Sequence, residues 1–399
     1  MIIDCDSHIV FRNLRKRLPS DLAALGPILR FDEHGLLAGR DFPGEPPDIT
    51  GTTPGLGRGS GTEHLGLVDV DARLRDFERL AIDQQVILPQ FRSDLAWSYL
   101  IEPKLAVAMA RAYNRRLLEA IRKHPDRFVG VALVALQDVN ASIDEIAWAR
   151  ENGLSAVALD YTFPVEAHPY GETLGEHREL WPFFAKAAEL NMPIYLHATQ
   201  HGHRALNLIR FQRIGLDFFA PHDAHMNLVS LITSGLLDDF PTLRFIHTES
   251  GTGFIKPLVE ALDRQFRDPR TNYDEETTGA PRSRRKLPAS ARRLVPAEEM
   301  EEQNKRPPSH YFRTNFYFTI ETEEPELEEA VRFLGRDRFL FATDYPHNDP
   351  GGSMKWKDGQ LLQANAHLSA EEKHSIFCGN AMKLFKRSQT APQVAAATA

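Results

Sequence analysis

The sequence predicts an α/β fold, a (β/α)8 TIM barrel, and three observations lead to this prediction. Eight strand-like apolar runs alternate with helical patterns along the 399 residues. Runs such as "RFVGVALV" (127–134) are continuously apolar, which is typical of parallel strands covered on both faces. A doubly wound open sheet is the competing architecture, but no G-x-G-x-x-G phosphate loop follows the first run.

The first five strands are predicted between the start of the chain and about residue 198. The first covers about 2–8, and an insertion rich in Gly and Pro follows it over about 19–70, as a lid or a surface excursion. Pro103 is placed for the first turn of a long helix. The other strands are QQVILP (84–89), RFVGVALV (127–134), LSAVALD (154–160) and MPIYLHA (192–198), with helices at 71–82, 102–125, 140–152 and 179–191.

The last three strands are predicted before residue 345, and a polar, charged insertion over about 269–311 precedes the seventh. They are LRFIHTES (243–250), RTNFYFTI (313–320) and RFLFATD (338–344), with helices at about 222–234, 254–268, 325–335 and 369–386. We therefore expect one domain over 1–388, and a disordered tail over 389–399.

Composition excludes several classes of function. The net charge of −8 disfavours binding to nucleic acids or anionic membranes, and we interpret the basic stretch at 282–293 as a solvated loop. Two cysteines, Cys5 and Cys378, leave no room for a disulfide framework, which favours the reducing cytoplasm. No apolar run reaches the length of a membrane span, and the first residues lack the basic start of a signal peptide.

Polar side chains stand at the ends of the predicted strands, where the carboxyl ends of barrel strands form one mouth. In the first strand, alternation places Asp4, Asp6 and His8 on one face, and leaves Cys5 as a packed thiol on the other. The remaining strand-end residues are His197 in the fifth strand, His247 and Glu249 in the sixth, and Asp344 in the eighth.

Four of these residues have the chemistry of metal ligands: Asp6, His8, His197 and Asp344. Each alone is better explained as a capped or ion-paired polar residue at a strand end. Together on one barrel face, imidazoles and carboxylates predict a site for a divalent cation, zinc or manganese.

The sequence resembles the amidohydrolase superfamily, in the amidohydrolase-2 branch that includes the aminocarboxymuconate-semialdehyde and resorcylate-type decarboxylases. The resemblance covers most of the chain and is weakest over about 19–70 and 269–305. It rests on "DSH" at the first strand, "LHA" at the fifth, "ESGTGF" at the sixth, "ATDYPH" at the eighth, "RPPSHYFRTNFYFT" and "FCGNAMKLF".

The resemblance implies metal ligation by Asp6, His8, His197 and Asp344. We expect zinc ahead of manganese as the bound ion, and a homo-oligomer, a dimer. This chain departs from the branch twice. Asp6 stands where relatives have H-x-H or E-x-H, and Glu249 stands where many relatives have a catalytic histidine. His247 lies two residues before Glu249 and should share its face, so either could be the catalytic partner of Asp344.

Three further residues are candidates for substrate binding: His201, Arg204 and His347. The strand ends beside His201 and His347 direct both histidines to the mouth, and Arg204 could hold a substrate carboxylate. Loop histidines and arginines are more commonly exposed or capping residues, which is the alternative for each of them.

Three functions are compatible with these residues. The first is metal-dependent decarboxylation of a small aromatic or unsaturated carboxylate, which the resemblance favours. The second is metal-dependent hydrolysis of an amide, an ester or lactone, or an activated C–C bond, with Asp344 as the base. The third is a non-catalytic binding protein on the same barrel, and the costly polar cluster argues against it. Each takes a small molecule as its partner.

Overall fold

The protein forms a nearly closed barrel of parallel strands with helices on the outside, which confirms the predicted TIM barrel. The computed structural model describes residues 1–41, 43, 64–90, 102–165, 168–197, 212–267, 304–322, 324–347 and 356–386. The ring runs in chain order from the first strand to the eighth, as β–α units wound in the right-handed sense around one axis require.

Thirteen strands are formed within the described residues, and the first barrel position is split between two of them. They are β1 (Ile3–Asp4), β2 (His8–Ile9), β3 (Ile28–Phe31), β4 (Leu37–Asp41), β5 (Gln84–Pro89), β6 (Phe128–Leu133), β7 (Ala156–Asp160), β8 (Thr162–Val165), β9 (His168–Thr173), β10 (Ile194–His197), β11 (Phe245–His247), β12 (Phe316–Ile320) and β13 (Phe339–Phe341). Two antiparallel hairpins, β3–β4 and β8–β9, stand outside the barrel sheet.

The helices follow the strands and cover the outside of the barrel. They are α1 (Val70–Leu80), α2 (Pro103–Ile121), α3 (Val139–Glu151), α4 (Trp181–Glu189), α5 (Gln212–Thr233), α6 (Leu236–Asp239), α7 (Ile255–Arg267), α8 (Pro308–Thr314), α9 (Leu327–Leu334), α10 (Asp358–Ala364), α11 (Ala370–His374) and α12 (Asn380–Phe385). Local signals set their starts: Asp69 and Asp138 cap α1 and α3 through side-chain oxygens, and Pro103 opens α2. None of these helices combines the length and apolar composition needed to cross a bilayer.

The structure differs from the sequence-based prediction mainly at the edges of elements. Helix α5 begins at Gln212, well before the expected start near 222, and α8 begins in the predicted second insertion and ends within the predicted seventh strand. Both hairpins were missed, and β3–β4 falls within the first predicted insertion. Residues 42 and 44–63 of the first insertion, most of the second and the tail at 389–399 lie outside the described residues.

Two apolar layers hold the barrel together. The lumen is filled by side chains that alternate with outward-facing ones along each strand, among them Ile3, Cys5, Val86, Val131, Tyr195, Ile246 and Leu340. The second and larger layer lies between the strands and the helices. Cys5 is packed as the sequence predicts, but it lies on the lumen face with Leu88, the partner of His8, and not on the opposite face; both cysteines are buried and free.

The first barrel strand carries one extra residue between β1 and β2. Asp4 pairs with Gln85 of β5, whereas His8 pairs with Leu88, so four residue steps run beside three. Such a bulge reverses the alternation of side chains. Asp4 consequently lies on the outer face with Gln85, and His8 lies on the lumen face with Leu88. The expectation that Asp4 shares a face with Asp6 and His8 is wrong for this reason.

Candidate metal centre

His8 is buried at the mouth of the barrel, and its ring orientation is fixed by the neighbouring strand. Its Nδ1 lies 3.0 Å from the carbonyl oxygen of Pro89, the last residue of β5. Because that carbonyl can only accept, Nδ1 carries the hydrogen and Nε2 keeps its lone pair. Nε2 lies 3.1 Å from Oδ1 of Asp344 and 3.5 Å from Oδ1 of Asp6. This is the arrangement of a histidine that is ready to bind a metal ion.

Two overlapping groups of donor atoms converge at this mouth. One group contains Asp6, His8, His197 and Glu249, and the other contains His8, Glu249, Asp344 and His347. Within each group, one donor atom from every residue lies within 4.8 Å of all the others. Three of the four predicted ligands, Asp6, His8 and His197, belong to the first group, and the fourth, Asp344, shares the second group with His8.

His197 ends β10 and is almost fully buried. Its Nε2 lies 3.5 Å from Oε1 of Glu249, and its ring stands edge-on to His8 with the centroids 5.0 Å apart. Glu249 is the more accessible of the two, with 31% of its side chain exposed. The Glu249 carboxylate therefore lies between the buried His197 imidazole and the open mouth.

Two carboxylates reach the mouth because their backbones leave strand geometry. Glu249 has φ 50° and Asp344 has φ 54°, the left-handed region that residues other than Gly rarely adopt. The turn before Glu249 is fixed by Tyr161, whose hydroxyl donates to the carbonyl of Thr248, and by Thr248, whose hydroxyl donates to the carbonyl of Leu196. Strain of this kind persists only where the surrounding structure enforces it, and it concentrates at functional sites.

His247 does not join the donor atoms. It is fully buried on the outer face of β11, with its ring 5.4 Å from Tyr161, 5.8 Å from Phe318 and 6.0 Å from Phe316. Burial in this aromatic environment lowers its pKa to about 3, so the ring is neutral. The expectation that His247 and Glu249 share a face is wrong, because β11 ends at His247 and the left-handed turn redirects Glu249.

Asp344, His347 and Gln90 form a chain of contacts along one side of the mouth. Nδ1 of His347 lies 2.9 Å from Oδ1 of Asp344, and its Nε2 lies 3.0 Å from Oε1 of Gln90. The His347 ring also stacks on His8, with centroids 4.7 Å apart. Sequence reasoning missed Gln90, although its position directly after the second barrel strand was a usable signal.

Two predicted substrate-binding residues, His201 and Arg204, lie outside the described residues. The third, His347, lies at the mouth with 17% of its side chain exposed.

The electrostatics of the mouth suit a cation. Burial raises the pKa of Asp6 well above its usual range, and the nearby carboxylates of Glu249 and Asp344 raise it further. No described residue donates a hydrogen bond to either carboxylate oxygen of Asp6, although both oxygens are buried. A divalent ion ligated by imidazole nitrogens and carboxylate oxygens would satisfy these atoms, and zinc and manganese both accept such donors.

Asp344 has the opposite pKa shift. Burial alone would raise its pKa, but the His347 and His8 imidazoles beside it hold the pKa well below its usual range. The two carboxyl groups at this mouth thus differ in their tendency to ionise: the surroundings favour the ionised form of Asp344 and the protonated form of Asp6. Such divergence is typical of acid–base sites.

Comparison with known proteins gives three kinds of similarity. The model of a family described as amidohydrolase matches residues 3–387. The gamma-resorcylate decarboxylase of a Polaromonas species is 26% identical over 289 residues, covering 69% of this chain and 76% of the relative.

Two solved structures show the same fold. The dihydroxybenzoic acid decarboxylase of a Polaromonas species, solved with bound manganese and 2-nitroresorcinol, has a TM-score of 0.64 at 20% identity, over 97% of this chain and 98% of that chain. The 5-carboxyvanillate decarboxylase of Novosphingobium aromaticivorans, also solved with manganese, has a TM-score of 0.66 at 21% identity, over 97% and 96% of the two chains.

Two buried histidines at strand ends provide a matched test of the metal centre. We expect His197→Ala to weaken binding of Mn²⁺ or Zn²⁺ on the order of 100-fold or more, because it removes a donor atom. His247→Ala should leave the affinity unchanged and lower the free energy of unfolding by roughly 2–4 kcal/mol, because it opens a cavity among aromatic rings. Titration calorimetry and urea unfolding measure the two effects. Metal loss in His247→Ala, or none in His197→Ala, would contradict this placement.

The raised pKa of Asp6 predicts that this residue, proposed as a metal ligand, lowers the free energy of unfolding of the metal-free protein. Between the unfolded and folded pKa values the native state binds more protons, so Asp6 makes the metal-free protein less stable as pH rises. We expect Asp6→Asn to be more stable than the wild type in excess chelator, by about 1 kcal/mol or more. The difference should grow with pH from about pH 5 upward. Urea unfolding at each pH measures it, and a less stable variant at the upper end would refute the idea.

Proposed function

The chain belongs to the amidohydrolase family, and from this premise we propose that it is a metal-dependent decarboxylase of small aromatic or unsaturated carboxylates. The observation that carries the proposal is the convergence of Asp6, His8, His197 and Glu249 at one barrel mouth, where Oδ1 of Asp344 lies 3.1 Å from Nε2 of His8. Similar proteins with this fold are named gamma-resorcylate and 5-carboxyvanillate decarboxylases.

We propose that Asp6, His8, His197 and Asp344 hold one divalent ion. Bound there, the ion would supply Lewis-acid stabilisation of negative charge on substrate oxygens. The similar solved structures hold manganese, so manganese is the first ion to test, and the zinc expected from the sequence stays a prediction.

Asp344 and His347 are proposed to manage the proton. Decarboxylation breaks the bond between the ring carbon and the carboxylate carbon, and CO₂ leaves while the bonding electron pair stays on the ring carbon. That carbon must gain one proton, and the Asp344–His347 pair shares a hydrogen bond through which a proton can be held and passed. The Gln90 contact and the stacking on His8 fix the imidazole in place while this occurs.

Glu249 is proposed as the second acid–base group. Its carboxylate faces the buried His197, and its partial exposure lets it reach a molecule in the mouth. His247 was the other candidate from the sequence, but its ring lies on the outer face among aromatic side chains. The substrate-binding roles of His201, Arg204 and His347 stay predictions.

Hydrolysis of an amide, ester or lactone is the second candidate function. It is favoured by the low pKa of Asp344, because an ionised carboxylate can accept a proton from water that attacks a carbonyl. The same ligands serve either reaction, so the fate of solvent atoms separates them.

We further propose that the protein works in a reducing compartment such as the cytoplasm, since its two cysteines are buried and unpaired. A single catalytic domain over 1–388 and a homodimer are parts of the same proposal.

Isotope labelling tests the type of reaction. With hydroxybenzoates such as 2,6-dihydroxybenzoate as first substrates, turnover in D₂O should place one deuterium on the carbon that lost CO₂, because that carbon takes its proton from an exchangeable group. NMR and mass spectrometry of the product measure this. A screen of amides and lactones in ¹⁸O-labelled water is the control. Heavy oxygen in a new carboxylate, with no new C–D bond, would replace decarboxylation by hydrolysis.

Two carboxamide variants test the acid–base roles. Asp344→Asn and Glu249→Gln keep the side-chain shape but cannot carry the proton, so each should lower kcat by roughly 10²–10⁴-fold. Glu249→Gln should retain the metal, whereas Asp344→Asn loses part of its metal affinity as well. Steady-state kinetics with metal analysis measures both, and His247→Gln is the control that should keep kcat. If either carboxamide variant keeps more than about a tenth of kcat, its proposed role is wrong.

A further inference from the structure

Arg73 is a fully buried cation in α1, and its hydrogen bonds lie beside the metal centre. Its Nη1 donates to Oγ of Ser7 at 3.1 Å and to Oε1 of Gln85 at 3.0 Å. Its Nε donates to the carbonyl of Gly66 at 3.1 Å, and its Nη2 donates to the carbonyl of His8. One guanidinium thus links the first barrel strand, β5 and the segment before α1.

Arg73 also contacts the eighth barrel strand. Its guanidinium carbon lies 4.7 Å from the ring centroid of Tyr345, the residue directly after Asp344. The Tyr345 hydroxyl donates to Asp76 at 2.6 Å. Gly66 is required at this contact, because a Cβ there would lie 1.7 Å from the Tyr345 hydroxyl oxygen. The arginine is therefore enclosed between the first and eighth strands.

The burial of this charge is not explained by an ion pair. Within the described part of the chain, no carboxylate lies at salt-bridge distance from the guanidinium. Two carboxylates interact with the partners of Arg73 instead. Asp4 accepts a hydrogen bond from the Gln85 amide at 2.9 Å, and Asp76 accepts one from the Tyr345 hydroxyl. Burial of a cation costs free energy of desolvation, and hydrogen bonds to neutral groups offset this cost only in part. Its position points to a structural task that apolar packing cannot perform.

The task is visible at the seam where the barrel closes. Between the first and eighth strands, Cys5 N–H donates to the Phe341 carbonyl at 2.8 Å, and His8 N–H donates to the Tyr345 carbonyl at 2.7 Å. The strands on the first side are only two residues long, and Ser7 forms an isolated bridge with Tyr345. His8 lies on one side of this thin seam and Asp344 borders the other.

We propose that Arg73 is a positioning residue that sets the spacing between His8 and Asp344 and thereby the geometry of the metal centre, an inference that rests on the proposed function. The planar guanidinium holds the His8 carbonyl, the Ser7 hydroxyl and the Tyr345 ring in one rigid arrangement. Lysine carries the same charge as a single flexible point and cannot make these contacts together.

The test compares Arg73 with Arg127, a cation at the opposite end of the barrel. Arg127 lies over Phe77 at 4.8 Å and donates to the Asp83 carbonyl at 2.7 Å, just before β6 begins. Arg73→Lys, Arg73→Met and Arg127→Lys are titrated with Mn²⁺, and the EPR spectrum of the bound ion is recorded together with thermal unfolding of the metal-free protein. These readouts need no substrate.

We expect both Arg73 variants to bind Mn²⁺ at least about tenfold more weakly, with an altered EPR spectrum of the bound ion. Arg127→Lys should lower the unfolding temperature and keep the affinity and spectrum of the wild type. Should Arg73→Met fail to fold, Arg73→Lys decides the question. A wild-type affinity and spectrum in Arg73→Lys would overturn this inference alone, whereas a wild type that binds no Mn²⁺ would overturn the proposed function and this inference with it.

Discussion

The extra residue in the first strand is the constraint on which the site depends. Asp4 lies on the outer face, where Thr343 and Gln85 bind its carboxylate. Without the bulge, strict alternation would place Asp6 and His8 on that outer face as well, among the helices. Because of the bulge, the two ends of the first strand have different partners. Asp4 at its start binds Thr343 after the eighth strand, and His8 at its end lies at the mouth. The position of His8 at the mouth follows from this reversal.

The electrostatic character of the mouth follows from the geometry. Asp6 is buried with no hydrogen-bond donor among the described residues, and Asp344 is surrounded by the imidazoles of His8 and His347. The pKa of Asp6 therefore rises and that of Asp344 falls. The buried Asp6 carboxyl group lowers stability when no cation is bound. The apolar layers on both sides of the barrel wall stabilise the fold.

The sequence predicts the barrel and the strand-end residues because both depend on periodicity and on strand order. Alternating strands and helices determine which chain ends meet, so His197 and Asp344 could be assigned to one mouth from the pattern alone. The errors have a common origin. The assignment of Asp4 to the face of Asp6 and His8, and that of His247 to the face of Glu249, both assume regular strands up to the last residue. A bulge and a left-handed turn break that regularity at the positions in question. Arg73 was missed because its role depends on contacts far along the chain, which no local pattern contains.

The places where regular structure ends also determine which reaction the barrel can perform. The proposed ligands Asp6, His8, His197 and Asp344 suit decarboxylation and hydrolysis equally, so the choice between the two reactions depends on the groups around them. Glu249 enters the mouth because of its left-handed backbone, and its carboxylate contributes both charge and a proton-accepting group beside His197. The regular strands thus determine that a cation can be held, and the irregular residues that follow them determine what is done with it.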